Sequence, residues 1–476
     1  MEEAVMYKAQ SALIAIVCAI PGFLAPAVAN GEYAKEEGVV FLDQGWSDEE
    51  RLLYYNTSQG SAAMSYDIFL NLEQAGNERP FRADDNMARY GLIPQPSDPK
   101  YNPDGLPIGV NKTALADGPW KGEWVGLGCA ACHTGQLNYK ETKIRIAGGN
   151  NAHIDMFAFI DGLDDALAAT VEDPQKFARL SAKLGTEDAT SKEALLKRLQ
   201  ADSASVHEYR TRTALLPNAA GPGRVDALGL IHNQVQSNIM KVPENWNAPL
   251  APTKPSFVWN VPQSAWAQWS GVLKDPILRN LGEVMGVFAK FDLTSETPED
   301  GLFDSTVDLK GQLQSESLLR RLAPPAWPED VLGPIDKEKA NKGGELFVQL
   351  CSGCHSTWPH RWSEPKKSGV RFIENAIVPV TVVGTDPNQF LSPQFESNPT
   401  VMSGPLSSHL EPPFTGKALV PPPINFETAQ RGVYNKLLPG LNLDQDELEA
   451  AHGHRAFFPD ETEPVPGALC LQSQPR

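Results

Sequence analysis

Two repeats of a Cys-x-x-Cys-His pentapeptide contain the side chains in this chain best suited to chemistry. They are formed by Cys129, Cys132, His133, Cys351, Cys354 and His355. Two thiols three positions apart can both reach the vinyl groups of one porphyrin, and a histidine directly after the second thiol can bind the iron. The spacing therefore predicts two covalently bound c-type haems, with His133 and His355 as metal ligands.

Two other chemistries use a Cys-x-x-Cys pair, namely zinc sites and thiol-disulfide couples. In the sequence, no second pair of this kind lies at zinc-finger spacing, and each pair is followed at once by histidine. Of the six cysteines, Cys18 and Cys470 lie outside the motifs, so the sequence does not indicate a disulfide framework. Haem attachment is the favoured interpretation.

Residues 1–29 have the pattern of an export signal. Lys8 precedes an apolar run over residues 11–20, Pro21 breaks this run, and Ala27-Val28-Ala29 offers small residues for cleavage. The alternative is an uncleaved membrane anchor, which the proline and the short apolar run disfavour. We therefore expect a periplasmic protein with no stable membrane span after the signal is removed.

Composition and charge restrict the classes of partner. The net charge of -18 argues against nucleic acid, whose phosphates would be repelled, and favours a basic redox partner protein. A chain of 476 residues with 41% hydrophobic content can support more than one domain. Its 40 prolines and 38 glycines predict long loops between helices of modest length.

The elements that must position the motifs are predicted to be helices. Apolar residues recur at helical spacing, or nearly so, over His153–Thr170, Ser191–Thr213, Asn280–Phe288, Asp336–Leu350 and Thr428–Leu438. Residues 30–128 are expected to form a wrapping segment with a few short helices, and residues 243–280 a packed loop. A proline-rich strip at residues 323–328 marks a domain boundary.

The predicted fold class is mostly α with extensive loops, two cytochrome c-like haem domains and little β structure. The export signal would be followed by an N-terminal haem domain with long insertions at residues 30–328. A C-terminal cytochrome c-like haem domain would occupy residues 329–476.

The second axial position of each iron decides whether a haem only passes electrons or also binds oxygen or peroxide. For the second haem, the downstream candidates for this position are Met402, His409, His452 and His454. For the first haem, His153 and His207 are available, and an open position is equally consistent with the sequence. The sequence alone assigns no sixth ligand.

Several stretches together resemble a known family. They are Gly128–Gln136, Arg145–Gly149, Arg279–Phe288 and Val383–Pro387. They are similar to the di-haem cytochromes of the bacterial rubber-cleaving oxygenase group, which is related to bacterial di-haem cytochrome c peroxidases. The segment Gly343–Cys351 also resembles the first helix of class I cytochromes c, in which a glycine and an aromatic residue precede the haem cysteines.

The resemblance implies a loop-rich, mostly helical periplasmic protein in which the haem at His133 binds oxygen or peroxide and the haem at His355 supplies electrons. Only the six motif residues carry over position by position. Related peroxidases hold a calcium ion between the haems, and here calcium rests on the resemblance alone. The closing segment of the relatives is not recognisable between Pro464 and Arg476, which a truncation or a shifted reading frame would explain.

Three hypotheses about function follow. The leading one is a haem-dependent oxidoreductase of the peroxidase or dioxygenase type that acts on a small-molecule oxidant. Its rival is a pure electron-transfer cytochrome with both haems fully ligated, which the long stretch between the motifs disfavours. The third is an inactive product of a damaged gene. The substrate is not inherited from the family name, because one fold hosts many functions.

Overall fold

The computed structural model describes residues 38–213, 220–266, 268, 275–355, 359–365, 371–375, 377–384, 387–388 and 400–443, and the backbone of 470–472. The predicted export signal, His452, His454 and the side chain of Cys470 lie outside this part of the chain. Helices make up 46% and strands 12%, which confirms the prediction of a mostly helical, loop-rich chain with little sheet. None of the helices in the described ranges is long and apolar enough to cross a membrane.

The α-helices in the described ranges are α1 (Asp48–Asn56), α2 (Tyr66–Asn71), α3 (Asp84–Arg89), α4 (Cys129–Cys132), α5 (Met156–Glu172), α6 (Pro174–Lys183), α7 (Ala189–Glu208), α8 (Ala227–His232), α9 (Pro276–Gly286), α10 (Leu309–Leu319), α11 (Glu329–Leu332), α12 (Lys337–Leu350), α13 (Val380–Val383) and α14 (Pro422–Leu437). Two π-helical segments, Tyr209–Thr213 and Asn233–Ile239, directly continue α7 and α8. Short 3-10 turns occur at Pro243–Asn245, Val261–Gln263, Pro298–Asp300, Gly404–His409 and Leu438–Leu441.

The strands are β1 (Val39–Phe41), β2 (Met64–Ser65), β3 (Val110–Leu115), β4 (Gly122–Leu127), β5 (Thr134–Tyr139), β6 (Thr142–Ala147), β7 (Ile377–Pro379), β8 (Val401–Met402), β9 (Leu419–Val420) and β10 (Cys470–Gln472). Two three-stranded sheets have the orders β1-β6-β5 and β2-β4-β3, and β7-β10 and β8-β9 form pairs. The short helix α4 joins β4, the centre of one sheet, to β5 in the other. The first pentapeptide is therefore held between two sheets.

The predicted helices are present with shifted ends. Helix α5 begins at Met156 because the Asp155 side chain accepts a hydrogen bond from the backbone N–H of Ala158 at 3.0 Å, which caps the helix. Helix α12 is capped in the same way by Asp336. Helix α14 begins at Pro422, six residues before the predicted start, because a proline is tolerated in the first turn of a helix.

The segment 30–128 differs from its prediction, because its described part contains strands as well as the short helices α1 to α3. Strand β1 pairs in parallel with β6, where Val39 lies opposite Lys143. Strands β3 and β4 pair antiparallel from Val110 opposite Leu127 to Leu115 opposite Gly122. Such pairing depends on distant partners, so local sequence patterns reveal it poorly.

A hydrophobic core joins residues from both sides of the predicted boundary at 328. Helices α9 and α10 contribute Leu281, Met285 and Leu309, while α14 contributes Ala429 and Val433, and all five side chains are buried in one cluster. A separate, larger hydrophobic cluster contains the buried side chains of α5 and α7. The division into two haem domains stays a prediction. If it holds, the two domains share part of their hydrophobic core, since α14 packs with α9 and α10.

Candidate functional site

The two pentapeptides share a backbone geometry. In the first, the N–H of His133 donates to the carbonyl of Cys129 at 2.9 Å. In the second, the N–H of His355 donates to the carbonyl of Cys351, also at 2.9 Å. Each motif is therefore one helical turn, in which the second cysteine and the histidine return close to the first cysteine.

The first motif faces a cavity. Its walls come from α4, α8, α9 and the loop 253–256, and the lining side chains are largely apolar. The cavity has a volume of about 190 Å³ and a mouth that opens to solvent. Cys129, Cys132 and His133 all line it. One apolar space thus receives both thiols and the imidazole of the motif.

The imidazole of His133 is oriented by the backbone of the opposite wall. Its Nδ1 lies 2.6 Å from the carbonyl oxygen of Ser256. In the tautomer in which Nδ1 carries the hydrogen, this nitrogen donates to Ser256 and the lone pair of Nε2 remains available to a metal. Burial lowers the pKa of His133, which favours the neutral ring that binds metals.

The two thiols are held in their neutral form. Burial raises the pKa of Cys129 and of Cys132 to about 12, and the nearby carboxylate of Glu283 adds to both shifts. The side-chain amide of Gln59 donates to the sulfur of Cys129, which opposes part of the upward pKa shift of this thiol. Catalytic thiol-disulfide couples work through a lowered thiol pKa, so this environment disfavours a thiol-disulfide function.

Helix α9 brings charged groups to the cavity. Glu283 lines it, and one turn earlier Arg279 forms a buried ion pair with Glu316 of α10. The side-chain amide of Asn280 donates to the same Glu316 carboxylate at 2.6 Å. The other carboxylate oxygen of Glu316 and the amide of Gln312 are buried without a hydrogen-bond partner in the described part of the chain, a place suited to ordered water.

The family-like stretches have structural explanations. Gln136 and Arg145 lie opposite each other on β5 and β6, and Arg145 donates to the amide oxygen of Gln136 at 3.1 and 2.8 Å. In α9, a Cβ on Gly282 would lie 2.4 Å from Gln430, and a Cβ on Gly286 would lie 2.3 Å from Ile231. The two glycines let α9 approach α14 and α8 closely.

The second motif has a different environment. It follows α12, which buries none of its residues, and Leu346, Val348 and Leu350 are 43%, 59% and 77% exposed. Downstream, the N–H of Ile373 donates to the carbonyl of Gln263 at 2.8 Å. The segment that follows the second motif therefore contacts Gln263, seven residues after Ser256, whose carbonyl orients His133. The second motif itself does not line the cavity.

The predicted candidates for axial ligands lie elsewhere. His153 is exposed, and His207 is 62% exposed and hydrogen-bonded to Asp164 at 3.0 Å, and neither lines the cavity. Met402 is 44% exposed in β8, and the ring of His409 lies edge-on to Phe303. Sequence analysis missed Met156, the first residue of α5, whose side chain is buried and lines the cavity.

Sequence analysis also missed Gln59, Glu283 and the carbonyl of Ser256. Glu283 lies within Arg279–Phe288, one of the stretches that resemble the family. The sequence did not reveal, however, that this residue lines the same cavity as the first motif. A backbone carbonyl has no side-chain signature at all. In the described ranges, no three or more side chains of His, Cys, Asp or Glu are grouped so that they could hold a metal ion by themselves.

The amino-acid sequence was compared with those of known proteins, and it is similar to one curated protein. The uncharacterized protein y4iJ of Sinorhizobium fredii (strain NBRC 101917 / NGR234) is 32% identical over 400 residues, which cover 75% of this chain and 66% of that protein. The chain thus spans just under two thirds of the length of this relative. No protein-family model and no solved structure matches the chain.

Proposed function

We propose that the protein is an exported di-haem c-type cytochrome that acts as a redox enzyme of the peroxidase or oxygenase type. The haem attached at Cys129, Cys132 and His133 is the reactive one, and the haem attached at the second motif transfers electrons. The observation that carries the proposal is that both thiols and the oriented imidazole of the first motif line one apolar cavity.

The residues around this cavity fit a porphyrin. Cofactor sites are concave and mostly apolar with a few placed polar groups, and typical volumes are about 300–1,000 Å³. The cavity volume of about 190 Å³ lies below this range, so a porphyrin would also occupy the open mouth of the cavity. The hydrogen bond from His133 Nδ1 to the carbonyl of Ser256 is the kind of outer contact that fixes the ring of a metal-binding histidine.

The bound haem would supply redox chemistry at its iron, while the chain supplies orientation and proton handling. His133 would bind the iron, and Ser256 would hold the ring of His133 in position. The side chain of Met156 also lines the cavity, so it is a candidate for a second protein ligand. Glu283 lies in the cavity wall, where its carboxyl group could accept a proton from a bound oxidant or donate one to it.

The exposed apolar residues of α12 support haem attachment at the second motif. Leu346, Val348 and Leu350 precede Cys351 directly and lie open to solvent. A covalently bound porphyrin next to them would cover apolar surface that water otherwise contacts. The net charge of -18 suits docking of a basic electron donor, which would approach by electrostatic attraction.

Haem counting tests the proposal. The Cys129→Ala/Cys132→Ala double variant should carry one haem where the native protein carries two, measured by a pyridine haemochrome assay together with the mass of the intact protein. A Cys470→Ser variant is the matched control, since this cysteine lies outside both motifs, and it should keep two haems. A colourless native protein would overturn the proposal.

Ligand binding then separates an enzyme from an electron carrier. A haem that is high-spin and shifts its absorption on addition of peroxide, cyanide or oxygen supports the reactive site at His133. Two low-spin haems whose absorption does not change with any of the three ligands would show that the protein is an electron carrier instead. If the haem at His133 is instead low-spin, a Met156→Leu variant that becomes high-spin would show that this thioether is its second protein ligand.

A further inference from the structure

The solvent-open mouth of the candidate haem cavity carries a positive charge. Among the described residues that line this cavity, Lys254 is the one lysine or arginine and Glu283 is the one carboxylate. The side chain of Lys254 is exposed, so it lies where the cavity meets solvent. The rest of the lining is largely apolar. Lys254 therefore marks the edge at which a bound group can place negative charge.

A second cation lies beside Lys254. The N–H of Val225 donates to the carbonyl of Thr253 at 2.8 Å, and the N–H of Thr253 donates to the carbonyl of Val225 at 3.0 Å. In an antiparallel pair the residues that flank such a bridge lie opposite each other, so Arg224 lies opposite Lys254. Arg224 is also exposed. We call Arg224 and Lys254 the cation pair.

The backbone that carries the cation pair is held on both sides. The N–H of Gly223 donates to the carbonyl of Ile154 at 2.7 Å, just before Arg224. Two residues after Lys254, the carbonyl of Ser256 accepts the hydrogen bond that orients His133. The cation pair is therefore fixed relative to the first motif by backbone contacts.

The cation pair lacks counter-ions in the described ranges. Neither Arg224 nor Lys254 forms an ion pair there. The carboxylate of Asp226 accepts from the backbone N–H of Gly229 at 2.9 Å and of Ala251 at 3.0 Å, so it is held by backbone donors. Like charges that lie opposite each other repel. Carboxylates bound between the two cations would relieve this repulsion.

The haem proposed at the first motif has two carboxylates to place. Its vinyl groups would react with Cys129 and Cys132, and its two propionates project from the opposite edge of the porphyrin. An ionised carboxylate buried in an apolar wall without a partner is costly. Glu283 would repel a propionate, whereas Lys254 would attract it. The propionate edge is therefore expected at the mouth, beside the cation pair.

We propose that Arg224 and Lys254 bind the two propionates of the haem at the first motif. This inference rests on the proposed function and extends it by assigning the residues that set how the porphyrin is turned in its cavity. Reduction removes one positive charge from the iron, so cations at the propionate edge stabilise the reduced haem. The cation pair should therefore raise the reduction potential of the first haem.

A redox titration of the complete di-haem protein, followed by absorption, tests the assignment. The first haem is identified as the one that the Cys129→Ala/Cys132→Ala variant lacks. Lys254→Met and Arg224→Met should each keep two haems, because the thioether bonds remain. At a fixed applied potential, each variant should lower the ratio of reduced to oxidised first haem by about threefold or more. The midpoint of the second haem should not change.

Two variants control for charge and packing. Lys192→Met on the exposed face of α7 removes the same charge away from the cavity and should leave both midpoints unchanged. Lys254→Arg keeps the charge and should retain the native midpoint of the first haem. If Lys254→Met does not retain the first haem, Lys254→Arg decides, because loss of the haem in both variants would show that the charge is not what matters.

A free carboxylate is the other ligand that two cations would suit. At constant ionic strength, added succinate should leave the midpoint of the native first haem unchanged, because the propionates already occupy the cation pair. A saturable shift with succinate would overturn the proposal. Two haems with an unchanged first midpoint in both methionine variants would also overturn it and would leave the proposed function standing, whereas a first motif without haem would refute both.

Discussion

At the scale of single residues, the candidate haem site depends on what surrounds His133. Its ring is held by the carbonyl of Ser256 at 2.6 Å, and the neighbouring thiols are kept neutral by burial. The carboxylate of Glu283 is the acidic group placed to act inside this apolar cavity. In the proposed enzyme, orientation of the ring and proton transfer are therefore the work of different residues on different elements.

We predict that Glu283→Gln lowers peroxide-dependent turnover by about 100-fold or more, the usual contribution of a positioned acid or base. The haem content should stay at two per chain, and the spectrum of the reduced protein should be unchanged, which excludes misfolding. Glu427→Gln, on the surface of α14, is the control and should retain activity. Full turnover in Glu283→Gln would show that the proton comes from elsewhere.

The six motif residues stand out in the sequence because covalent haem attachment requires fixed residue types at fixed spacing, and the attachment itself stays a prediction. The remaining contacts of the first site could not be predicted. Ser256 acts through its carbonyl, so any residue type could occupy this position. Gln59 and Met156 line the cavity because segments far apart in the sequence pack together in the fold. A local sequence pattern does not show such packing.

At the scale of elements, α9 forms one wall of the candidate haem cavity. Its Gly282 and Gly286 lie four residues apart on one side, and each permits close contact with a neighbouring element. The same helix places Glu283 and Val284 in the first cavity. The position of α9 therefore fixes the shape of the candidate site.

We predict that Gly286→Ala destabilises the protein by about 1–3 kcal/mol, because the new methyl group would overlap Ile231 and force a shift. Gly344→Ala in the exposed helix α12 meets nothing within 4 Å and should stabilise it by about 0.5–1 kcal/mol. Denaturant unfolding measures both changes. A neutral Gly286→Ala would mean that α8 and α9 pack less closely than described.

Helices α5, α7, α9, α12 and α14 were predictable because apolar residues recur in them at helical spacing, whereas α6, α8 and α10 were not predicted. The strands on either side of α4 were not predicted. Strand β4 pairs with β2 and β3, and β5 pairs with β6, so their stability comes from partners rather than from their own residues.

At the scale of the whole molecule, His232 links global stability to pH. It is buried, its ring stacks on that of Phe426 at 5.0 Å, and burial lowers its pKa to about 4 from the usual 6.5. Between these two values the unfolded chain binds a proton that the folded chain does not bind. The free energy of unfolding therefore falls as the pH falls from 6.5 towards 4.

We predict that His232 accounts for a loss of about 2 kcal/mol in the free energy of unfolding between pH 7 and pH 5. A His232→Phe variant should lack this part of the pH dependence, as measured by denaturant titration at both pH values. An NMR titration provides a check on the native protein. If the ring of His232 protonates near pH 6.5 in the folded state, the prediction is wrong.

The core shared by α9 and α14 also sets an order of assembly. Ribosomes make chains from the N-terminus, so Leu281 and Met285 emerge long before Ala429 and Val433, which complete their cluster. Until those late residues arrive, helix α9 lacks the apolar contacts that this cluster provides in the folded chain. A polypeptide that still lacks α14 would therefore hold the wall bearing Glu283 less firmly, and a haem that attaches at Cys129 and Cys132, as proposed, would enter more easily at that stage.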